Sequence, residues 1–194
     1  MLKKEIVYLL ISERFFGGKN TFTQKGISEE LGFSISTINN ALKPLVGMHA
    51  VQVKQRSFSI IDAKKFLSYW ATIRKLKKDT IYSTFVPEKA DKIEALMTSD
   101  SAFTAFSACK LNYPASADYS EIYAYSNNVE EIKKRFPPKE GPKNLFILKS
   151  NPLIEKISKN NCVPLPLVFV DLWNLPQWYA KEFLAELGKK LFGE

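Results

Sequence analysis

The sequence predicts an α+β fold, and three observations carry that prediction. Apolar residues recur at helical spacing after Thr23: Ile27 and Leu31 are four apart, and Ile38, Leu42 and Leu45 follow at spacings of four and three. Further on, Val51 and Val53 alternate with Gln52 and Lys54, and Phe58 and Ile60 alternate with Ser57 and Ser59. That is the period of two of half-buried strands. From about Thr80 onward, strand-like runs and helical patterns are mixed, as in an α+β domain. The chain thus divides into residues 1–78 and a mixed α+β domain over residues 79–194.

The first stretch sets the organisation. Thr23 is a good N-cap, Gly32 tolerates the positive φ that ends a helix, and Ser34 is a second N-cap. Two short helices joined by a tight Gly-containing turn make a helix-turn-helix. The outward face of its second helix carries Ser36, Thr37, Asn39, Asn40 and Lys43. Asn pairs bidentately with adenine, Ser and Thr reach base edges or phosphates, and Lys suits guanine or phosphate. A merely solvated face is richer in the strong helix formers Glu, Lys, Gln and Arg. Ser, Thr and Asn are mediocre helix formers, so their presence points to contact with a ligand.

The continuation reads as a basic hairpin, with Lys54-Gln-Arg-Ser57 at its tip. A basic hairpin directly after such a helix is a wing. Lys54 and Arg56 would lie beside a phosphate backbone. With T-Q-K-G-I-S-E-E-L-G-F-S-I-S-T-I-N-N-A-L-K-P-L ahead of it, the first third of the chain resembles the winged helix-turn-helix regulators of bacteria and archaea. The resemblance implies binding to double-stranded DNA. The candidate DNA-binding residues are Thr23, Gln24, Lys25, Ser34, Ser36, Thr37, Asn39, Asn40, Lys43, Lys54, Arg56 and Ser57.

Charge supports the same placement. The net charge of the 194 residues is +8. Residues 1–75 hold 12 Lys and Arg against 5 Asp and Glu, whereas residues 76–194 hold 16 against 15. The excess therefore sits with the motif, where phosphate would be met. The composition is that of a globular chain, at 45% hydrophobic and 25% charged residues. No apolar run approaches the roughly 18 residues of a membrane span, and the start lacks the features of a signal peptide. Cys109 and Cys162 read as reduced, buried thiols of a cytoplasmic protein. The single histidine, His49, cannot build a His-rich metal site and is read as structural.

The remaining elements follow in order. Leu2 to Phe16 reads as a first helix ended by Gly17-Gly18. Asp62 caps a helix from Ala63 to about Lys78, with Phe66, Leu67, Trp70, Ile73 and Leu76 inward. In the regulators this chain resembles, flanking helices of this kind often form a homodimer surface. Ile81 to Val86 is a strand, Glu88 to Met97 a helix, and Phe103 to Leu111 another helix. Strands at Ile122 to Tyr125 and Leu145 to Leu148 flank a helix from Val129 to Phe136. Pro152 to about Ser158 is a short helix, Pro164 to Leu172 an apolar strand, and Trp178 to Phe192 a closing amphipathic helix.

The segments V-P-L-P-L-V-F-V-D-L-W-N-L-P and W-Y-A-K-E-F-L-A-E-L-G are similar to the end of AbiEi-type antitoxins, where a strand ends in Asp-Leu. That resemblance implies a transcriptional repressor acting on the operon of a nucleotidyltransferase-type toxin, which would be a protein partner or a co-regulated product. The second domain could share a nucleotidyltransferase-like fold without its catalytic residues. No Gly-Ser precedes a D-x-D or D-x-E pair for two metal ions, Asp171 stands alone at its strand end, and Glu130-Glu131 point to different faces. There is no P-loop, G-x-G-x-x-G or G-x-S-x-G. The reading is a non-enzymatic DNA-binding regulator without a cofactor. The alternative is a DNA-associated enzyme or replication initiator that uses the winged helix to locate DNA.

Overall fold

The computed structural model describes residues 1–112 and 117–193. They form an α+β fold that divides into two compact units, Met1–Arg74 with Gly188–Glu194, and Lys75–Leu187.

The first unit opens with α1, Lys3–Phe16, whose Tyr8 to Ile11 are fully buried. Helices α2, Gln24–Leu31, and α3, Ile35–Gly47, follow. Both start where the sequence supplies a cap: Thr23 Oγ1 accepts from the Gly26 N–H at 3.0 Å, and Ser34 Oγ from the Thr37 N–H at 3.2 Å. Between them Gly32 takes φ 65°, the left-handed cap conformation that costs glycine nothing. Ile27, Ile38, Leu42 and Leu45 are buried, as their spacing requires. Strands β1, Val51–Val53, and β2, Phe58–Ile60, pair antiparallel, with Gln52 opposite Ser59. Phe22 adds one residue to this ladder by exchanging backbone hydrogen bonds of 2.9 and 2.8 Å with Phe58, and their rings stack at 5.5 Å. The hairpin is thereby tied to the segment that leads into α2.

Helix α4, Ala63–Ile73, is capped by Asp62, which accepts from the Lys65 N–H at 2.8 Å. It does not continue to Lys78. Arg74 adopts an extended conformation, and a separate short helix, α5, spans Leu76–Asp79. The reason is tertiary. Arg74 is buried and its Nη1 lies 3.4 Å from Glu5 Oε1 of α1, so the guanidinium is drawn inward instead of out along the helix surface. The hairpin also departs from the expected alternation: Val51 is buried, but Val53 is 48% exposed.

The second unit is built on a four-stranded sheet of order β3-β6-β5-β4, comprising β3, Thr80–Thr84, β4, Ala102–Phe103, β5, Ile122–Ser126, and β6, Leu145–Lys149. Strands β5 and β6 are parallel and joined across α8, Val129–Arg135, while the outer pairs are antiparallel. Its remaining helices are α6, Ala90–Ala95, α7, Ala105–Asn112, α9, Pro152–Ile157, and α10, Leu165–Trp173, and it also holds the start of α11, Ala180–Phe192, whose residues from Gly188 belong to the first unit. The neighbours Glu130 and Glu131 pair apart, with Lys133 at 2.9 Å and Arg135 at 3.4 Å respectively.

Two expectations are corrected in this unit. Phe103 does not begin a helix. It pairs with Ala124 in the sheet, and the helix starts only after Thr104, at Ala105, which takes φ 51° to make the turn. Nor is Pro164 to Leu172 a strand. Pro164 is the N-cap of α10 and Pro166 lies in its first turn, where a missing N–H costs no hydrogen bond. All of Pro166 to Leu172 is buried. A run buried on every side carries no period, and such runs do not separate a buried strand from a buried helix. Asp171 is therefore a buried helical residue, and it accepts hydrogen bonds from Thr104 Oγ1 at 2.9 Å and Tyr125 OH at 2.7 Å.

Candidate nucleic-acid interface

Helix α3 has two unlike faces. Ile38, Ala41, Leu42 and Leu45 are buried against the unit's core, and Ser36, Asn39, Asn40 and Lys43 are exposed on the other side. The exposed four fall at i, i+3, i+4 and i+7, which is a single stripe along the helix. The small and amide side chains in that stripe are therefore displayed together.

The hydroxyls of Ser34, Thr37 and Thr23 have local duties. Ser34 Oγ caps α3 and lies 2.9 Å from Thr37 Oγ1, and Thr23 Oγ1 caps α2. Ser34 and Thr23 keep exposed surface beside these bonds, and Thr37 is half-buried. A Cβ on Gly26 would come within 2.9 Å of Thr23 Oγ1, so glycine there leaves the cap undisturbed.

The hairpin tip closes through a 2.7 Å bond from the Lys54 N–H to the Ser57 carbonyl. Lys54 and Arg56 flank it and are exposed, and Ser57 is half-buried. Ion pairs of this unit that employ other cations include Arg14 with Glu30, Lys25 with Glu29 at 3.7 Å, Lys65 with Asp62, and Arg74 with Glu5. Among the described residues, no carboxylate lies within ion-pair distance of Lys43, Lys54 or Arg56. These three cations are thus exposed with no counter-charge among the described residues.

A cleft of about 270 Å³ lies between the start of α2, the start of α3 and the hairpin, lined by residues 23–25, Ile35 and residues 53–57. It brings Thr23, Gln24 and Lys25 together with Lys54, Arg56 and Ser57, which the sequence separates by about thirty positions. Asn39, Asn40 and Lys43 do not line it; they continue the surface along α3. Two lining residues escaped the sequence reading: Ile35, 52% exposed, and Val53, 48% exposed. Alternation with Gln52 and Lys54 marks Val53 as half-buried, and nothing in the sequence sets Ile35 apart. Only the three-dimensional position of the helix start and the hairpin end reveals them as surface.

Elsewhere the chemistry is sparse. Among the described residues no three His, Cys, Asp or Glu side chains gather as metal ligands, and no helix is long and apolar enough to cross a membrane. His49 is exposed and takes φ 59° in the turn between α3 and β1, a backbone role. Compared with family models, with curated proteins and with solved structures, the chain matches none.

Proposed function

We propose that the first unit binds double-stranded DNA in the manner of a winged helix-turn-helix, with α3 in the major groove and the β1–β2 hairpin along the backbone. One observation carries this reading. The exposed stripe of Ser36, Asn39, Asn40 and Lys43 lies next to a hairpin whose Lys54 and Arg56 have no carboxylate partner among the described residues. Amides and small hydroxyls read base edges, and unpaired cations hold phosphate. An α-helix fits the width of the major groove, and the first residues of such a helix meet the bases.

The chain then acts as a sequence-specific transcriptional regulator, with the second unit serving a protein partner or a second copy. Repression, and a toxin operon as the target, are carried by the sequence resemblance alone. The helical state of Leu165–Trp173 removes the strand from that comparison, leaving the order of the two units and the closing helix.

Fluorescence anisotropy with the full-length chain tests the proposal. A labelled random-sequence duplex should bind with a Kd on the order of micromolar and weaken steeply with salt. Selection from a random pool should enrich one motif bound at least about a thousandfold more tightly. Absence of duplex binding at low salt contradicts the proposal. Metal-dependent turnover of DNA or nucleotides would favour the enzymatic alternative.

A further inference from the structure

Resting on the DNA-binding reading above, we propose that Ile35 and Val53 contact the 5-methyl group of thymine, so that the cleft between α3 and the hairpin selects thymine-bearing duplex DNA. Each leaves about half its surface in water, at 52% and 48% exposure. Single exposed apolar residues are ordinary on any surface. Here two share one cleft whose rim carries Lys25, Lys54 and Arg56. The cations specify a polyanion and the apolar pair specifies a methyl-bearing edge within it. Thymine supplies the one methyl group that unmodified DNA displays in the major groove, and aliphatic side chains discriminate bases through it.

Position supports the assignment. Ile35 is the first residue of α3, followed by exposed Ser36 and, one turn on, by exposed Asn39. The end of the helix nearest the bases thus bears an aliphatic group, with hydrogen-bonding groups behind it. Val53 is the last residue of β1, where the strand meets Lys54 at the tip. It bridges the base-reading and phosphate-holding parts of the surface. Burying a methyl group is worth a factor of about four in affinity. RNA, which carries uracil, offers no such group.

The test uses full-length protein and the duplex it selects from a random pool. That duplex is remade with deoxyuridine for thymidine in both strands, which removes only methyl groups and keeps the pairing. Wild-type protein should lose about fourfold in affinity for each contacted thymine. Ile35→Ala should show one such fourfold loss already on the thymine duplex, and its further loss on the uracil duplex should be about fourfold smaller than that of wild type, the remainder being the share of Val53. Because Ile35 is exposed at a helix start, the variant should keep the wild-type circular dichroism spectrum and melting temperature, and Val53→Ser serves as a second, independent substitution. Equal wild-type binding to the two duplexes overturns this inference while leaving the DNA reading intact. An Ile35→Ala protein that remains as sensitive to the swap as wild type overturns the assignment of Ile35. Binding to no duplex at all overturns the DNA reading and this inference together.

Discussion

Tyr8 of α1 donates its phenol hydrogen to the Ala41 carbonyl of α3 at 2.6 Å. The bond sits beside a weak point in α3. Pro44 lies inside that helix and has no N–H to offer the carbonyl four residues back, at Asn40. Tyr8 is fully buried, and burial pushes its phenol well above the ordinary tyrosine range, so it stays a donor at any working pH. Its ring also packs edge-on against Phe66 and Trp70 of α4. One side chain thus ties the helix that carries Asn39 and Asn40 to the two helices behind it.

Tyr8→Phe keeps the ring and leaves a buried carbonyl without this donor. The cost should be about 1–3 kcal/mol of stability. In urea the midpoint should fall while the slope stays unchanged. An unchanged midpoint would mean that the bond adds nothing to stability.

In the second unit, Tyr125→Phe removes a hydroxyl that donates to Asp171, while Thr104 keeps its own bond at 2.9 Å. Leaving a buried polar group without a partner costs about 1–3 kcal/mol, so stability should drop by that amount. Restoration by a second change, Asp171→Leu, would show that the loss comes from the carboxylate. A Tyr125→Phe protein as stable as wild type would contradict the role given to this hydroxyl.

Both cysteines are buried and free. Burial, with a smaller contribution from Glu186, pushes the Cys109 thiol up to about 12, and burial raises Cys162 as well. At neutral pH both stay protonated, and the thiolate is the reactive form. Ellman's reagent should therefore react slowly with the native chain and rapidly after denaturation in guanidinium. Rapid reaction of the native chain would contradict the burial of these thiols.

The sequence made much of this architecture legible because local chemistry decided it. Thr23, Ser34 and Asp62 each cap the helix expected of them, and Gly32 turns where a glycine is needed. Strands β5 and β6 fall where short apolar runs are bounded by polar loops. The misses share a tertiary cause. Arg74 breaks α4 because Glu5, distant in sequence, lies within reach of its guanidinium. Phe103 joins the sheet because Ala124 waits beside it. The α10 run has no polar face to betray its period. Val53 alternates as a half-buried strand residue does and stays half exposed, since β1 ends there at the edge of the cleft.

Arg56 at the hairpin tip should hold a phosphate under the proposed function. Arg56→Ala should weaken binding to specific and random duplexes alike. It should also reduce the slope of log affinity against log salt by about one ion's worth. A slope equal to that of wild type would remove Arg56 from the interface.

Asn39 and Asn40 test the central proposal most directly, since under that proposal the exposed amides of α3 read bases. Each asparagine is changed to alanine in the full-length chain, and affinity is measured at fixed salt for the selected duplex and for a random duplex. The proposed reading predicts a loss of about 1–3 kcal/mol on the selected duplex for at least one of the two, with almost none on the random one. Equal losses on both duplexes, or none on either, would contradict it.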